Sequence, residues 1–271
     1  MSRPLWFVQL IKKSFPARFF LARATKVPLL GGLLERWLFQ GDDLIYLPRE
    51  RTITIYEDIE RPVNTVLPSQ VVDHFIEQAN DHWIMHHCLC RESNRCQDYP
   101  IDLGCLFMGE AVKGINPALG RLATREEAHE HVRRCREAGL VHLVGRNRLD
   151  TVWLGVSPGE KLLTVCNCCP CCCLWKILPL VSESIAEKVE RMPGVTVTVT
   201  DLCQGCGTCT QGVCFVDAIR LVDGRAVIGE DCRGCGRCAE VCPNDAIEVS
   251  IAEPAYVHKT IERISSLVDL T

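Results

Sequence analysis

Residues 201–250 carry one pattern twice. The stretch "DLCQGCGTCTQGVCFVDAIRL" is echoed by "EDCRGCGRCAEVCPNDAIEV". Cys203, Cys206 and Cys209 recur 29 residues later as Cys232, Cys235 and Cys238, and Cys214 recurs 28 later as Cys242. Asp217-Ala218-Ile219 recurs 28 later as Asp245-Ala246-Ile247, so the first copy holds one extra residue between its third and fourth cysteines. Three thiols two residues apart let one loop wrap a compact metal centre, and a fourth ligand must then come from elsewhere. Gly205, Gly207, Gly234 and Gly236 permit unusual backbone angles and leave amides free to face sulfur. Paired zinc knuckles are the competing reading. Zinc usually takes two CxxC pairs, however, not a CxxCxxC triplet with a distant fourth cysteine.

Nineteen of the 271 residues are cysteine, and context separates their uses. Disulfide frameworks belong to small secreted domains. This chain opens "MSRPLWFVQLIKKSFPARFF", where charges and prolines interrupt the apolar residues, so a secretory signal is not expected. Reduced thiols and a cytoplasmic location are the expectation, with metal binding first and redox catalysis beside it. The apolar fraction of 47% supports a buried core, and the charged fraction of 24% is ordinary for a soluble protein of two or three compact units. A net charge of −4 supplies no basic field, so no nucleic-acid partner is expected. There is no run of about 18 apolar residues to span a membrane.

The first 38 residues are unusual. Arg3, Lys12, Lys13, Arg18, Arg23, Lys26 and Arg36 face a single acid, Glu35, and Trp6, Phe7, Phe15, Phe19, Phe20 and Trp37 are interleaved with them. Peripheral contact with an anionic membrane through residues 1–38 is one reading. A helical arm packed on the protein is the other, favoured because Pro4, Pro16 and Pro28 break long helices.

The fold class expected is α+β: a mostly helical cysteine-rich part with a small hairpin, then a ferredoxin-like part. The division expected is 1–65, a basic and aromatic arm with a strand; 66–193, the cysteine-rich domain; and 194–271, the repeat with a closing helix. Short helices are expected over 1–45 and a strand over 51–59. Helices are expected over 68–87, 102–115, 124–139 and 174–192. Thr124 with Glu127 forms a capping box for the third of these, and Gly139 suits its end. "LVHLVG" and "TVWLGV" read as a hairpin after it, a helix–hairpin order with a winged-helix flavour. A strand over 194–200 and a terminal helix complete the reading.

The second copy of the repeat has the spacing C-x2-C-x2-C-x3-C followed by Pro243, and residues 201–250 resemble the two-cluster bacterial ferredoxins. The resemblance implies two [4Fe–4S] clusters. Cys203, Cys206, Cys209 and Cys242 would hold one; Cys232, Cys235, Cys238 and Cys214 would hold the other. Amides aimed at the sulfurs would stabilise the negative charge and tune the potential. The first copy departs from the family pattern, with four residues before Cys214 and Phe215 in place of the usual proline. Its loop is expected to bulge, and the two potentials to differ.

Eleven cysteines lie upstream. Cys88, Cys90, Cys96 and Cys105 give C-x-C-x5-C-x8-C, read as a further metal site, with buried structural thiols as the alternative. His86 and His87 are read as surface or capping residues. Cys135, inside a helix, is read as a small apolar residue. "TVCNCCPCCCLW" then packs Cys166, Cys168, Cys169, Cys171, Cys172 and Cys173 into eight positions. Side chains alternate along an extended chain, so these six serve different directions or lie on a sharp loop, which Pro170 supports. The start of the helix expected at 174 would offer amides to thiolates. Some of the six are expected to join Cys88, Cys90, Cys96 and Cys105 around one or two further iron–sulfur clusters. The succession CxCR…C…C, CNCCxCCC and a ferredoxin segment resembles multi-cluster iron–sulfur proteins of anaerobes over roughly residues 80–250, which implies that the two upstream groups act together.

The leading functional expectation is an electron-transfer protein that relays single electrons through several [4Fe–4S] clusters to or from a partner oxidoreductase or ferredoxin-type donor. Its acidity suits a basic partner surface. The alternative is a reductase whose upstream half holds a catalytic cluster fed by the ferredoxin segment, supported by the surplus of thiols. A cluster-dependent sensor is a third reading, disfavoured by two complete ligand sets. No Gly-rich phosphate loop of either standard kind is present.

Overall fold

The computed structural model describes residues 2–50, 53–55, 67–252 and 255–271. The chain opens with helices α1 (Leu5–Ser14), α2 (Arg18–Ala24) and α3 (Leu30–Leu38), the first two parted by a 3₁₀ turn at Phe15–Ala17 that contains Pro16. Strands β1 (Asp43–Tyr46) and β2 (Ile53–Ile55) follow. The rest of the strand expected over 51–59 lies outside the described residues. Helix α4 (Ser69–Gln78) buries Val71, Val72, Phe75 and Ile76, spaced to form one helical face. The expected helix does not continue to residue 87. Ala79 turns to an extended backbone, and β3 (His82–Met85) takes the remainder.

Next come α5 (Leu89–Ser93), β4 (Leu106–Met108) and β5 (Gly120–Ala123). Where a helix was expected over 102–115, only a 3₁₀ turn at Glu110–Gly114 is helical. Helix α6 (Arg125–Glu137) has the full capping box, Thr124 and Glu127 each bonding the other's backbone amide. Strand β6 (Val141–Arg146) follows, but the expected hairpin does not form. Residues 151–154 belong to α7 (Arg148–Leu154), because Asn147 caps the amide of Leu149 and Gly155 closes the helix in the left-handed conformation. Two good caps outweigh the β preference of Thr151 and Val152. Beyond β7 (Leu163–Cys168), the helix expected over 174–192 is three pieces: a 3₁₀ turn (Leu174–Leu180) containing Pro179, α8 (Glu183–Ala186), and β8 (Val189–Arg191). The repeat supplies β9 (Val195–Val199), β10 (Ile219–Val222), β11 (Arg225–Ile228), α9 (Arg237–Glu240) and β12 (Ile247–Ile251), and α10 (Tyr256–Ser265) closes the chain.

The chain is α+β, but its cysteine-rich part is built on a sheet and is not mostly helical. Seven strands form that sheet in the order β5-β3-β4-β7-β6-β1-β8. Neighbours are antiparallel except β1 with β8. One face presents Ile45, Leu106, Met108, Val144, Leu163 and Val165 to α4 and α6. The other presents Leu44, Tyr46, Val141, Leu143 and Cys168 toward Trp175 and the N-terminal arm. Each such buried aliphatic side chain stabilises the fold by about 1.5–3 kcal/mol. A smaller sheet, β2-β12-β9, joins strand β2 to the repeat. Arg263 on α10 reaches back to Asp43 and Glu190, bonding Asp43 with both Nε and Nη2. Elements of all three expected stretches therefore interlock. No helix among the described residues is long and apolar enough to cross a membrane.

Candidate metal centres

All 19 cysteines are free thiols, and 18 of them gather in four places. In the repeat, Cys203, Cys206, Cys209 and Cys242 line one recess, together with Leu221 and Ile247. Cys214, Cys232, Cys235 and Cys238 line a second, together with Phe215, Val216 and Arg237. The crossing of each copy's fourth cysteine to the other copy's triplet is thus present in the geometry. The conserved spacing of Asp-Ala-Ile within the chain has a local cause. Asp217 and Asp245 both adopt positive φ, at 52° and 48°. This lets the next amide turn inward. Ala218 N donates to Cys214 Sγ and Ala246 N to Cys242 Sγ, each at 3.3 Å. Ala226 N and Gly234 N donate likewise to Cys203 and Cys232, each at 3.4 Å. The expected bulge is absorbed at Gly212, with φ of 71°.

The recesses differ in exposure. Cys206 is exposed, and amide hydrogen bonds hold the thiols of Cys203 and Cys206 below their usual pKa. Cys235 is buried, and burial pushes its thiol up to about 11. Buried thiols of this kind need a cation to ionise. The inner recess has two arginines in its wall: Arg233, whose Nε is buried without a protein partner, and Arg237, whose guanidinium bonds Cys168 O at 2.6 Å. An orphaned buried donor beside four thiols fits an anionic [4Fe–4S] centre, which would accept from it.

The upstream thiols divide in a way the sequence did not show. Alternation along β7 places Cys166 and Cys168 on the sheet face that also carries Tyr46, with Asn167 on the opposite face, where it bonds His142. Cys105 reaches Cys166 at 3.8 Å from the neighbouring strand's approach. Cys88, Cys90, Cys105, Cys166, Cys168 and Cys173, with Cys169 at the wall, line a cavity of about 310 Å³ roofed by Phe15 and Arg18 of the arm. Cys96 does not join them. It lies with Cys169, Cys171 and Cys172 in a separate set. The joint site expected from all four of Cys88, Cys90, Cys96 and Cys105 is therefore split. The six-cysteine run is shared three and three, because β7 ends at Cys168 and a turn at 170–172 redirects the chain. No α-helix begins at 174, so the expected helix start is a 3₁₀ turn. His86 and His87 are exposed, and Cys135 is buried near His131, at 3.7 Å.

Arg91 is marked in the sequence only by its place beside Cys88 and Cys90, where the reductase reading would have it supply charge or protons, and nothing in the sequence marks Arg18 or Tyr46 as lining this cavity. Arg91 is fully buried on α5 and bonds Asn167 O at 2.7 Å, and it bonds Leu103 O as well. Its Nε has no protein partner, nor has the Nε of the buried Arg18. No carboxylate pairs with either among the described residues. Burial alone would lower Arg91, but the thiols of Cys88, Cys169 and Cys105 outweigh it and raise it above its ordinary value. Beside Cys90 and this guanidinium, the Cys88 thiol falls to about 7 although burial opposes it. A buried cation without a counter-ion is costly, and two of them facing six thiols fit an anionic centre held between. Tyr46 donates to Cys168 Sγ at 3.7 Å and lies 3.9 Å from Cys173 Sγ. Its ring packs on Phe215, with centroids 4.6 Å apart. Phe215 departs from the ferredoxin pattern in the sequence, and here it is the residue that meets Tyr46.

A family described as 4Fe-4S binding domain matches residues 226–248, the second copy of the repeat from β11 into β12. The chain thus carries a 4Fe–4S binding segment. No curated protein and no solved structure matches it significantly.

Proposed function

We propose that this chain is an iron–sulfur electron-transfer protein. The exposed recess exchanges single electrons with a redox partner protein, and the buried recess exchanges them with a further iron–sulfur cluster in the six-thiol cavity. [4Fe–4S] clusters supply one-electron chemistry when bound. The observation that carries this reading is the contact between Phe215, next to the inner-recess ligand Cys214, and Tyr46, which touches Cys168 and Cys173 of the cavity. Arg237 spans the same gap, lining the inner recess and bonding the carbonyl of Cys168. Around the outer recess, exposed Cys206, Leu202 and Leu221 offer a docking patch for an oxidoreductase or ferredoxin-type donor.

Counting iron and acid-labile sulfide after anaerobic purification tests the reading. Two ferredoxin clusters alone give about eight of each per chain, which would sink the upstream cluster, whereas about twelve or more supports it. Replacing Tyr46 and Phe215 by Leu should slow reduction of the upstream centre in freeze-quench EPR and leave the ferredoxin signals in place.

A second reading, a reductase acting at the cavity, draws on two observations. Six thiols exceed the four that a cubane takes. Asp150 also lines the cavity, and burial raises its carboxyl to about 6, suiting it to hand over protons. A panel of small thiols and disulfides that shifts the upstream EPR signal supports this reading; an unchanged signal across the panel leaves the relay.

A further inference from the structure

The sulfurs of Cys96, Cys169, Cys171 and Cys172 all lie within 4.8 Å of one another. Cys171 Sγ is 3.6 Å from Cys96 Sγ and 3.5 Å from Cys169 Sγ. Four thiolates around one tetrahedral ion, each at about 2.3 Å from it, stand roughly 3.8 Å apart. Thiolates of a cubane each bind a different iron at the corners of a larger body, so their sulfurs lie much farther apart. The molecule contains its own comparison. Among the described residues this is the one set of three or more ligand atoms so close together, and the ferredoxin cysteines are spread more widely. We propose that these four cysteines hold a single tetrahedral thiophilic ion, zinc or ferrous iron, and not a cluster.

The local fold supports a one-ion site. Cys169 and Cys172 are a CxxC pair, the spacing that structural tetrahedral sites use. Cys172 N donates to Cys169 Sγ at 3.3 Å, closing the loop around the thiol. The turn at 170–172 breaks the strand's alternation, which brings Cys171 to the same side as its neighbours. Cys96 comes from the loop after α5, held by its amide bond to Arg91 O at 2.9 Å. Cys96, Cys169 and Cys172 are buried among Leu103, Leu140 and Cys135 and Cys171 is half-buried, and four thiolates fill a tetrahedral ion's coordination, leaving no open position for a substrate. Four thiolates and one divalent ion leave net negative charge, and the buried Arg91 lies beside Cys169 to offset it. The ion would tie the loop after α5 to the turn after β7, beside the two elements, α5 and β7, that carry Cys90 and Cys168 into the cavity. The site therefore stands whether or not the cavity holds a cluster.

Zinc, iron and acid-labile sulfide are counted on the full-length chain, purified anaerobically, as wild type, Cys96→Ser and Cys172→Ser. About one metal ion per chain unmatched by sulfide is expected in the wild type. Both variants should lose that ion and keep their sulfide and the ferredoxin EPR signals. Zinc or iron in that role identifies the ion. Loss of sulfide in step with the metal, or a wild type in which sulfide matches all the metal, overturns the proposal. If the variants do not fold, the wild type decides alone. Unmatched zinc should show a shell of sulfurs at about 2.3 Å with no metal–metal distance in X-ray absorption; unmatched iron should give a separate high-spin Mössbauer component typical of tetrathiolate iron. Nitrogen or oxygen ligation of the unmatched metal sinks the site.

Discussion

At the scale of single residues, the buried arginines matter most, because reduction of any iron–sulfur centre adds negative charge that a fixed cation stabilises. Arg237 is 5% exposed and lines the inner recess. Replacing it with Gln keeps hydrogen-bonding capacity toward Cys168 O but removes the charge. A charge–charge interaction of about 1–2 kcal/mol at an effective dielectric near 20 corresponds to roughly 40–90 mV for one electron. Arg237→Gln should therefore lower the inner centre's potential by about that much in an EPR-monitored redox titration and leave the outer centre alone. A second residue governs stability. Asp42 is buried, and burial raises its carboxyl to about 7; one oxygen accepts from Arg148 N at 2.7 Å while the other is unpartnered. The folded chain thus holds a proton that the unfolded chain releases near pH 4. This contribution is fully present below about pH 4 and is lost as pH rises toward 7, since the folded state binds more protons over that window. Asn at position 42 can still accept from Arg148 and never ionises. Asp42→Asn should match the wild type near pH 4 and exceed it by roughly 2–4 kcal/mol above pH 7, read as urea midpoints at the two pH values.

At the scale of elements, what could be read in the sequence was what short-range chemistry dictates. The capping box at Thr124, the repeat's loops and strand β9 depend on residues a few positions apart, and each lies where its local pattern put it. The capping pair carries its own test: Thr124→Ala should cost about 1 kcal/mol in a urea melt with iron content unchanged. The seven-stranded sheet was not legible. Its strands are three to six residues long, and β4 and most of β6 are buried on both faces, so the alternation that marks a half-buried strand is missing. Without that signal, apolar runs such as 82–85 and 106–108 merge into neighbouring helical patterns. The partition of the cysteine run was hidden for the same reason. Spacing alone shows that six thiols cannot converge, but the three-and-three division depends on where β7 stops. That point is set by pairing to β6, Val141 opposite Cys168, and not by the run itself. Arg91 was visible only as a basic residue beside two cysteines. Its burial follows from the sheet it packs under.

At the scale of the whole molecule, the N-terminal arm has two sides, one packed on the protein and one open to solvent, where the sequence offered packing and membrane contact as alternatives. Its inner side packs on the protein and roofs the cavity with Phe15 and Arg18: Val8, Phe15 and Ala22 are buried, Lys12 pairs with Glu92 at 2.7 Å, and Thr25 accepts from Ser182 N at 2.8 Å. Its outer side leaves Trp6, Phe20, Leu29 and Trp37 between 68% and 90% exposed, with Lys13, Arg23 and Arg36 exposed among them. Aromatic side chains in water beside cations suit the interfacial zone of an anionic bilayer, where rings enter the headgroup region and each basic residue adds about 1 kcal/mol. The full-length chain should therefore sediment with vesicles containing anionic lipid and not with neutral ones, and the bound fraction should fall as salt is raised. Combining Trp6→Ser, Phe20→Ser and Trp37→Ser should abolish sedimentation without loss of iron, since none of the three is buried in the roof. If the triple variant sediments as the wild type does, or neither binds, the exposed aromatics serve another surface and the arm's contribution reduces to covering the thiols beneath it.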